Sequence, residues 1–175
     1  MNASLTRIDA AALTAHREEL AALLLAVVRG GSSIGFLADL DQAAAAAWWD
    51  SLLPALEEGS LALWVSRGPD GRVDGTISWS RETKANGRHR AEVRKLMVHP
   101  EARGRGTGRA LLAEAEAAAA RAGVVLLFLD TESGSGAERV YRAAGWTEAG
   151  SIPDYATDPA GRLVATTLYY KHTEQ

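Results

Sequence analysis

The sequence has no cysteine among its 175 residues. Disulfide bonds, thiolate metal sites and a cysteine nucleophile are therefore excluded. Its four histidines are scattered along the chain without the spacing of metal ligands, so no metal site is expected.

Long apolar runs and a strong net charge are also missing. No uninterrupted apolar run reaches the roughly 18 residues that suggest a membrane span. Residues 1–5 lack the basic and apolar regions of a signal peptide, so the cytoplasm is the expected location. The net charge of -3 argues against general nucleic-acid binding, because neutralising phosphates requires a basic surface. The length predicts one domain over residues 1–175 with a core of its own.

The most informative segment runs from Glu92 to Thr131. It contains a strand (Glu92–Val98), a turn rich in glycine and arginine, an amphipathic helix (Gly106 to Ala122) and a second apolar strand (Val124–Asp130). The N–H groups at the start of a helix have no partner within the helix and carry the positive end of its dipole. Glycines let a phosphate approach these groups closely. The turn is therefore predicted to hold a diphosphate.

The order of residues in this turn narrows the kind of diphosphate loop. Gly108 is followed by Arg109 instead of the lysine of a P-loop, and the glycines lack the spacing of the dinucleotide fingerprint. They match Arg-x-x-Gly-x-Gly, which resembles the pyrophosphate loop of the GNAT N-acetyltransferase superfamily. This resemblance implies that the loop binds the diphosphate of acetyl-CoA. Its residues are Arg103, Gly104, Arg105, Gly106, Thr107, Gly108 and Arg109. For the motif alone, an RNA-contacting arginine–glycine segment and a plain turn stay open.

The rest of the chain is predicted to complete one α/β domain with a mixed sheet. The strand–helix–strand unit around the turn should be parallel. The resemblance implies a mixed, mostly antiparallel sheet flanked by helices, with a central parallel strand pair splayed around acetyl-CoA. Further helices are predicted at Ala11 to Val28, from Asp41 through Leu53 and at Ala137–Ala144, and further strands at Leu5–Ile8, Leu61–Val65, Val73–Trp79, Thr147–Ser151 and Leu163–Tyr170.

The resemblance also implies contacts along the first strand of the splayed pair. The pantetheine arm is expected to pair with the exposed backbone of Leu96, Met97 and Val98. A main-chain N–H in that strand would polarise the thioester carbonyl. The alternative is that these three residues belong simply to a core strand.

A second motif, Ala137-x-x-x-Tyr141-x-x-x-Gly145-Trp146, resembles the family segment whose tyrosine hydroxyl faces the sulfur of CoA. The leaving thiolate needs a proton donor as the amide forms, so Tyr141 is the predicted general acid, and Ala137 is expected beside the cofactor. The alternative is a packing tyrosine on an amphipathic helix. Many family members carry asparagine seven residues before this tyrosine, where the chain has Gly134, and a flanking serine would have to replace that contact.

Two acids on the splayed strands, Glu92 and Asp130, are the candidate bases. An amine with a pKa of about 10 must lose its proton before it attacks a thioester, and a carboxylate accepts that proton directly or through water. Which of the two acts stays open. The alternative for Glu92 is a solvated strand residue or a partner of Arg94. The alternative for Asp130 is a cap or turn residue before the short helix.

A closer resemblance, to the tabtoxin-resistance acetyltransferases within this family, implies a small amino acid or β-lactam-like amine as acceptor and hence a role in antibiotic resistance. It also implies substrate and proton handling by Glu92, Asp130 and Tyr141. Candidate walls of the acceptor pocket are the aromatic residues Phe36, Trp79 and Tyr155. The segments that carry this resemblance are 35–41, 91–97, 129–132 and 166–171.

These patterns predict an acetyl-CoA-dependent N-acetyltransferase that works by direct transfer in a ternary complex, because no cysteine is present to carry the acetyl group. Two other functions stay open: a non-catalytic acyl-CoA-sensing module, and acetylation of protein amines. The loops Arg81–Arg90 and Ile152–Arg162 are expected to close the acceptor cleft. The apolar strand Thr166–Tyr170 is expected to pair across a homodimer.

Overall fold

A mixed sheet organises the computed structural model, which describes residues 4–173. The predicted domain limits at residues 1 and 175 lie outside these residues. In the described part, seven strands follow the order β1-β2-β3-β4-β5-β7-β6, and β4 pairs with β5 in parallel while the other neighbours pair antiparallel. The predicted fold class, with a central parallel pair in a mostly antiparallel sheet, is confirmed. The strands are β1 (Ser4–Ile8), β2 (Leu61–Arg67), β3 (Val73–Arg81), β4 (Arg90–Val98), β5 (Leu126–Glu132), β6 (Thr147–Thr157) and β7 (Leu163–His172).

Five helices flank the sheet in the described residues, and they lie close to the predicted positions. Pro54 divides the predicted second helix, because proline fits the first turn of a helix but not its interior. None of these helices is long and apolar enough to cross a membrane. Their bounds are α1 (Ala10–Arg29), α2 (Gln42–Asp50), α3 (Leu53–Glu57), α4 (Thr107–Arg121) and α5 (Gly136–Ala143).

Two hydrophobic clusters cover opposite faces of the sheet. Successive residues of β2 belong to different clusters, as the two-residue period of a strand requires: Leu63 packs with α1 and α2, and Trp64 packs with α4 and α5. We call these the α1–α2 face and the α4–α5 face.

Close packing of α4 onto β3 positions the start of that helix. A Cβ on Gly75 would lie 2.9 Å from Cδ1 of Leu111 and 3.0 Å from the carbonyl oxygen of Met97. Only a glycine therefore lets the helix approach this closely. The helix joins β4 to β5 by the parallel crossover that the sequence predicts.

The structure changes two expectations about loops. The segment Ile152–Arg162 is mostly strand, because β6 continues to Thr157 before a short turn. The loop Arg81–Arg90 lies at the starts of β4 and β5, where the N–H of Val125 donates to the carbonyl of His89 at 2.7 Å. That end of the sheet is opposite to the end where the two strands separate.

Candidate active site

The central feature of the site is the separation of β4 from β5. The two strands pair only at their beginnings, where Arg90 lies opposite Leu126, and Glu92 lies opposite Phe128. Beyond this point β4 continues to Val98 and β5 to Glu132 without pairing to one another. The β5-facing edge of β4 therefore borders a cleft. The residues predicted to contact pantetheine, Leu96, Met97 and Val98, lie on this edge.

A β-bulge in β4 lies at the point where the strands separate. Thr76 of β3 is opposite Met97, but Ser78 is opposite Arg94, so β4 has one extra residue between these pairs. Lys95 has a φ of 52°, which is uncommon for a residue other than glycine. The hydroxyls of Thr76 and Ser78 donate to the carbonyls of Lys95 and Arg94 at 3.0 and 3.1 Å. Buried side chains of β3 thus support the bulge, which the sequence did not predict.

The start of α4 has the features of an anion site. Its N-cap is Gly106, with a φ of 84° and no hydrogen bond from a capping side chain. The first backbone bond of the helix runs from the N–H of Ala110 to the carbonyl of Gly106, so the N–H groups of Thr107, Gly108 and Arg109 precede it. In the part of the chain that the structure describes, no atom beyond the chain neighbours lies within 4 Å of a Cβ built on Gly104 or Gly106. A phosphate therefore has space to reach these donors.

The arginines of the loop differ in their surroundings, a distinction that the motif could not reveal. The guanidinium of Arg103 donates to the carbonyl of Val98 and to Oγ of Ser32, both at 3.3 Å. Arg103 therefore ties the loop to the end of β4 and to the segment after α1. Arg105 and Arg109 are exposed beside the helix start.

Tyr141 is buried on α5, with 6% of its surface exposed. Its ring centroid lies 5.8 Å from that of Trp146 and 6.0 Å from that of Tyr169. Burial, with a contribution from the charge of Asp130, raises the pKa of Tyr141 above its ordinary range. The hydroxyl is thus protonated at neutral pH, the state that a proton donor requires. Ala137, one turn earlier, is partly buried against the same cluster.

Glu138 is a buried acid that the sequence analysis missed. Its carboxylate accepts hydrogen bonds from the N–H of Gly134 at 3.0 Å and from the hydroxyl of Tyr169 at 3.2 Å. Burial acts to raise the pKa of Glu138, but hydrogen bonding by Gly134, Thr167 and Tyr169 and the charge of Arg142 outweigh it and lower the pKa. The bond to Gly134 fixes the loop that leads into α5. The spacing Ser135-x-x-Glu138 is that of a capping box, which would bring this carboxylate to the N–H of Ser135. In the structure the carboxylate instead accepts from the N–H one residue earlier, and Ser135 makes no capping bond.

Glu92 and Asp130 lie on the same face of the separating strands. Ala91 and Val93 belong to the cluster of the α4–α5 face, so Glu92 points to the α1–α2 face. On β5, Leu129 belongs to the α4–α5 cluster, and so Asp130 also points to the α1–α2 face. Burial raises the pKa of Glu92, Arg94 opposes this, and Asp130 adds to it. The two candidate bases are therefore electrostatically coupled.

The segment 30–41 covers the α1–α2 side of the cleft and carries Phe36. Its carbonyl at Ile34 accepts from Nζ of Lys95 at 2.7 Å. Oγ of Ser33 donates to the carbonyl of Thr157 at 3.0 Å, and the N–H of Ala38 donates to the carbonyl of Pro159 at 2.9 Å. The segment thus connects β4 to the β6–β7 hairpin, whose strand β6 carries the exposed Tyr155.

Trp79, the third predicted wall of the acceptor pocket, does not lie on the α1–α2 side of the sheet. It is buried in the cluster of the α4–α5 face, with its ring centroid 6.1 Å from that of Trp64. Phe36 packs against the cluster on the opposite face. The structure therefore brings Phe36 and Tyr155 to contacting segments and leaves Trp79 in the core between β3 and α4.

Comparison with known proteins identifies the family. The model of the acetyltransferase (GNAT) family matches residues 18–146. Because this match covers most of the chain, the protein belongs to that family and is an N-acetyltransferase. The expected superfamily and enzyme class are confirmed.

Solved structures of similar fold have different acceptors. A GNAT superfamily phosphinothricin acetyltransferase from Sinorhizobium meliloti, in complex with acetyl-CoA, has a TM-score of 0.76 at 21% identity, over 99% of this chain and 89% of that one. A ribosomal-protein-alanine N-acetyltransferase from Brucella melitensis has a TM-score of 0.75 at 23% identity, over 97% of this chain and 99% of that one. A GCN5-related N-acetyltransferase from Kribbella flavida has a TM-score of 0.76 at 22% identity, over 96% of this chain and 97% of that one. These likenesses concern the fold.

Proposed function

We propose that the protein transfers the acetyl group of acetyl-CoA to the amino group of a small acceptor, by direct attack in a ternary complex. The observation that carries this proposal is the cleft between β4 and β5. It has an uncapped helix start beside one strand end and a protonated tyrosine near the other. An acyl-transfer site needs both a cofactor anchor and a proton donor.

The cofactor supplies the acetyl thioester, and the residues at the start of α4 fit its diphosphate. The N–H groups of Thr107, Gly108 and Arg109 bind the phosphate oxygens, and Arg105 and Arg109 neutralise their charge. Gly104 and Gly106 leave these donors accessible. Arg103 holds the loop in place through its bonds to Val98 and Ser32. The backbone of Leu96, Met97 and Val98 binds the pantetheine arm.

The acids and the tyrosine move the protons. Glu92 and Asp130 accept the proton that the ammonium group of the acceptor must lose before its nitrogen attacks the acetyl carbon. The C–S bond would then break as the C–N bond forms, and Tyr141 would donate a proton to the departing sulfur. The second proton of the attacking nitrogen would pass, directly or through water, to the tyrosinate and restore it, which leaves the amide and the CoA thiol. The raised pKa of Glu92 brings this base closer to neutral pH, where proton transfer is efficient.

For the acceptor, we favour an amino acid or a β-lactam-like amine, as in the tabtoxin-resistance acetyltransferases. Glu92, Asp130 and Tyr141 match the residues that those enzymes use. The α1–α2 side of the cleft is bordered by the segment 30–41 and by the β6–β7 hairpin, which contact each other. Phe36 and Tyr155 on these segments would line a pocket of limited size, which suits a small molecule better than a protein chain.

The experiment that tests the proposal has two stages. Thermal shift with acetyl-CoA measures binding, and thiol release with a panel of amines and N-terminal peptides measures transfer. Mass spectrometry then identifies which amine has gained an acetyl group. Release with small amines supports the proposal, whereas release only with peptides would indicate protein acetylation. Binding without release under every amine would instead favour a sensing module.

A homodimer is a further part of the proposal. Ile152 on β6 and Leu163 and Tyr170 on β7 are exposed large hydrophobic residues on two neighbouring strands. The expectation that Thr166–Tyr170 pairs across a dimer is wrong, because β7 is paired with β5 on one side and with β6 on the other. A second copy would instead pair with β6, the last strand of the described sheet, and cover Ile152. Light scattering coupled to size exclusion is expected to give twice the chain mass of 18.6 kDa. A monomer at micromolar concentration would contradict the dimer.

A further inference from the structure

Two consecutive cations of β4, Arg94 and Lys95, lie on the same face of the sheet as the two candidate bases. In a regular strand, neighbouring side chains point to opposite faces. Here Lys95 reaches Ile34, Phe36 and Trp48, which lie on the α1–α2 face, and Leu96 packs against the cluster on the other face. The bulge at Lys95 therefore turns this residue to the side that Arg94 already occupies.

Lys95 is a fixed and partly buried cation. Its Nζ donates to the carbonyl of Ile34 at 2.7 Å and lies 5.4 Å from the ring centre of Phe36 and 5.3 Å from that of Trp48. An ammonium group has three donors, so two remain after the bond to Ile34. Burial lowers the pKa of Lys95, Arg94 lowers it further, and the charges of Asp130 and Glu92 oppose this.

Arg94 is more accessible, since 44% of its side chain is exposed. Its nearest acid among the described residues is Glu92, and the distance from Nε to Oε1 is 3.8 Å. This separation is too long for a hydrogen bond. An exposed ion pair of this kind contributes little to stability. The planar fork of the guanidinium, which suits a carboxylate, is thus available to a ligand.

The arrangement of charge matches a zwitterion. Glu92 and Asp130 suit an ammonium group, and Arg94 and Lys95 lie on the same face of the same strand pair. With all four side chains charged, the two acids and two cations balance one another, so a bound ammonium group alone would leave one positive charge in excess. An amino acid supplies both charges on neighbouring atoms.

We propose that Arg94 binds the free carboxylate of the acceptor, with Lys95 as a supporting positive charge, so that the enzyme selects amino acids over the corresponding amines and amides. This inference rests on the proposed function, and it assigns a specificity-determining role to two residues that the motifs did not indicate. Lys95 also acts as a positioning residue, because it holds the segment that carries Phe36 against β4.

The test compares acceptors that differ only in the carboxylate. Each amino acid of a panel is assayed beside its carboxamide and its decarboxylated amine, with CoA thiol release as the readout. The wild-type protein is expected to prefer the acid by about tenfold to a hundredfold in kcat/KM, the size typical of a charge-assisted hydrogen bond. Arg94→Gln is expected to raise KM for the acid far more than for the carboxamide, which abolishes the preference. Because Arg94 also lowers the pKa of Glu92, the ratio of acid to carboxamide is compared at each pH.

Matched variants separate this role from a structural one. Arg88→Gln removes an exposed arginine in the turn before β4, at the opposite end of the sheet, and is expected to preserve the preference. Arg94→Lys keeps the positive charge and is expected to retain part of the preference for the acid that Arg94→Gln loses. Lys95→Met keeps the length of the side chain and is expected to reduce the preference less than Arg94→Gln does. Thermal shift with acetyl-CoA should be unchanged in all four variants.

The outcomes distinguish this inference from the proposed function. If amines, amides and acids are acetylated equally by the wild-type protein, the inference is overturned and the proposed function stands. The same holds if Arg94→Gln lowers transfer to all three acceptor types by the same factor. If no amine is acetylated although acetyl-CoA binds, the proposed function fails, and the inference fails with it.

Discussion

The helices of the two halves of the chain begin in different ways. α1 and α2 start after Asp9 and Asp41, whose carboxylates accept hydrogen bonds from the N–H groups of Ala12 and Ala44 at 2.8 and 2.7 Å. α4 starts after Gly106, and no side chain caps it. A cap of this kind stabilises a protein by about 1 kcal/mol. The first two helices use their N–H groups for stability, whereas those of α4 have no capping side chain and are the ones that we propose bind the diphosphate.

The backbone conformation of the N-cap residue also differs between α1 and α2, on one side, and α4. Asp9 and Asp41 have extended conformations with φ of -95° and -102°, which place a side chain over the helix end. Gly106 has a φ of 84°, in the left-handed region that favours glycine. α5 also begins without a side-chain cap from its N-cap residue Ser135. The five-residue helix α3 also has no capping side chain. Among the longer helices of the described residues, only α4 and α5 lack such a cap, and these two carry the candidate residues for the cofactor.

The largest expected effect concerns Tyr141 on α5. Tyr141→Phe removes the proposed donor and keeps the buried ring, so kcat is expected to fall about a hundredfold, the lower range for general acid catalysis. The affinity for acetyl-CoA should not change. Steady-state kinetics and thermal shift measure the two quantities. Tyr170→Phe, which changes an exposed tyrosine of β7, is the control. Undiminished turnover of Tyr141→Phe at all pH values would contradict the assignment.

A negative charge added at the start of α4 tests the proposed diphosphate site directly. Gly106→Asp places a carboxylate where we propose that the diphosphate binds, and aspartate tolerates the left-handed conformation better than most residues. We expect the affinity for acetyl-CoA to fall about tenfold to a hundredfold, because charge-assisted hydrogen bonds are lost. Thermal stability should change little, since an acid is favourable at a helix N-terminus.

The control for this variant lies at the other end of the same helix. Gly123 also has a positive φ, of 73°, and within residues 4–173 no atom beyond its chain neighbours lies within 4 Å of a Cβ built on it. Gly123→Asp should therefore introduce a similar backbone strain without changing the affinity for acetyl-CoA. Equal loss of affinity in the two variants would show that strain, and not the diphosphate site, explains the result.

The third prediction concerns the acids beside the cleft. A base must be deprotonated, so kcat/KM should fall as the pH falls through the pKa of Glu92, which burial places above the ordinary range of a carboxyl group. Glu92→Gln should remove this acidic limb of the pH–rate profile. At neutral pH the activity should fall by no more than about tenfold, because Asp130 remains as a second base.

Asp130→Asn sharpens the same measurement. The charge of Asp130 is one of the causes that raise the pKa of Glu92, so its removal should move the acidic limb to lower pH. An unchanged profile in the double variant of Glu92 and Asp130 would remove the base assignment from both residues.

The smallest effect is expected at the capped helices. Asp41→Ala should lower the stability by about 1 kcal/mol, which corresponds to a fall in Tm of about 2–4 °C for a chain of this size. The affinity for acetyl-CoA should not change, because the start of α2 is not part of the diphosphate site. Glu57→Ala, at an exposed acid of α3, is the control for loss of a surface charge. A weaker affinity in Asp41→Ala would contradict the division between structural and ligand-binding helix starts.

The positions of most elements could be predicted because they follow from local patterns. The predicted helix from Gly106 to Ala122 is observed at Thr107–Arg121, and the glycines of the turn before it have positive φ at Gly104 and Gly106. The parallel crossover was also predicted, since handedness and strand direction follow from a short strand–helix–strand unit. These features depend on residues close together in the chain.

The sequence by itself determined the order of elements, the diphosphate loop and the residues Glu92, Asp130 and Tyr141 as candidates. Only the tertiary structure decided that Lys95 forms a bulge, that Arg103 binds Ser32, that Glu138 holds the loop before α5 and that Trp79 belongs to the core. The physical reason is that strand register and buried hydrogen bonds join residues far apart in the chain. Thr76 and Ser78 support the bulge at Lys95 from a neighbouring strand, and no pattern within β4 records that support.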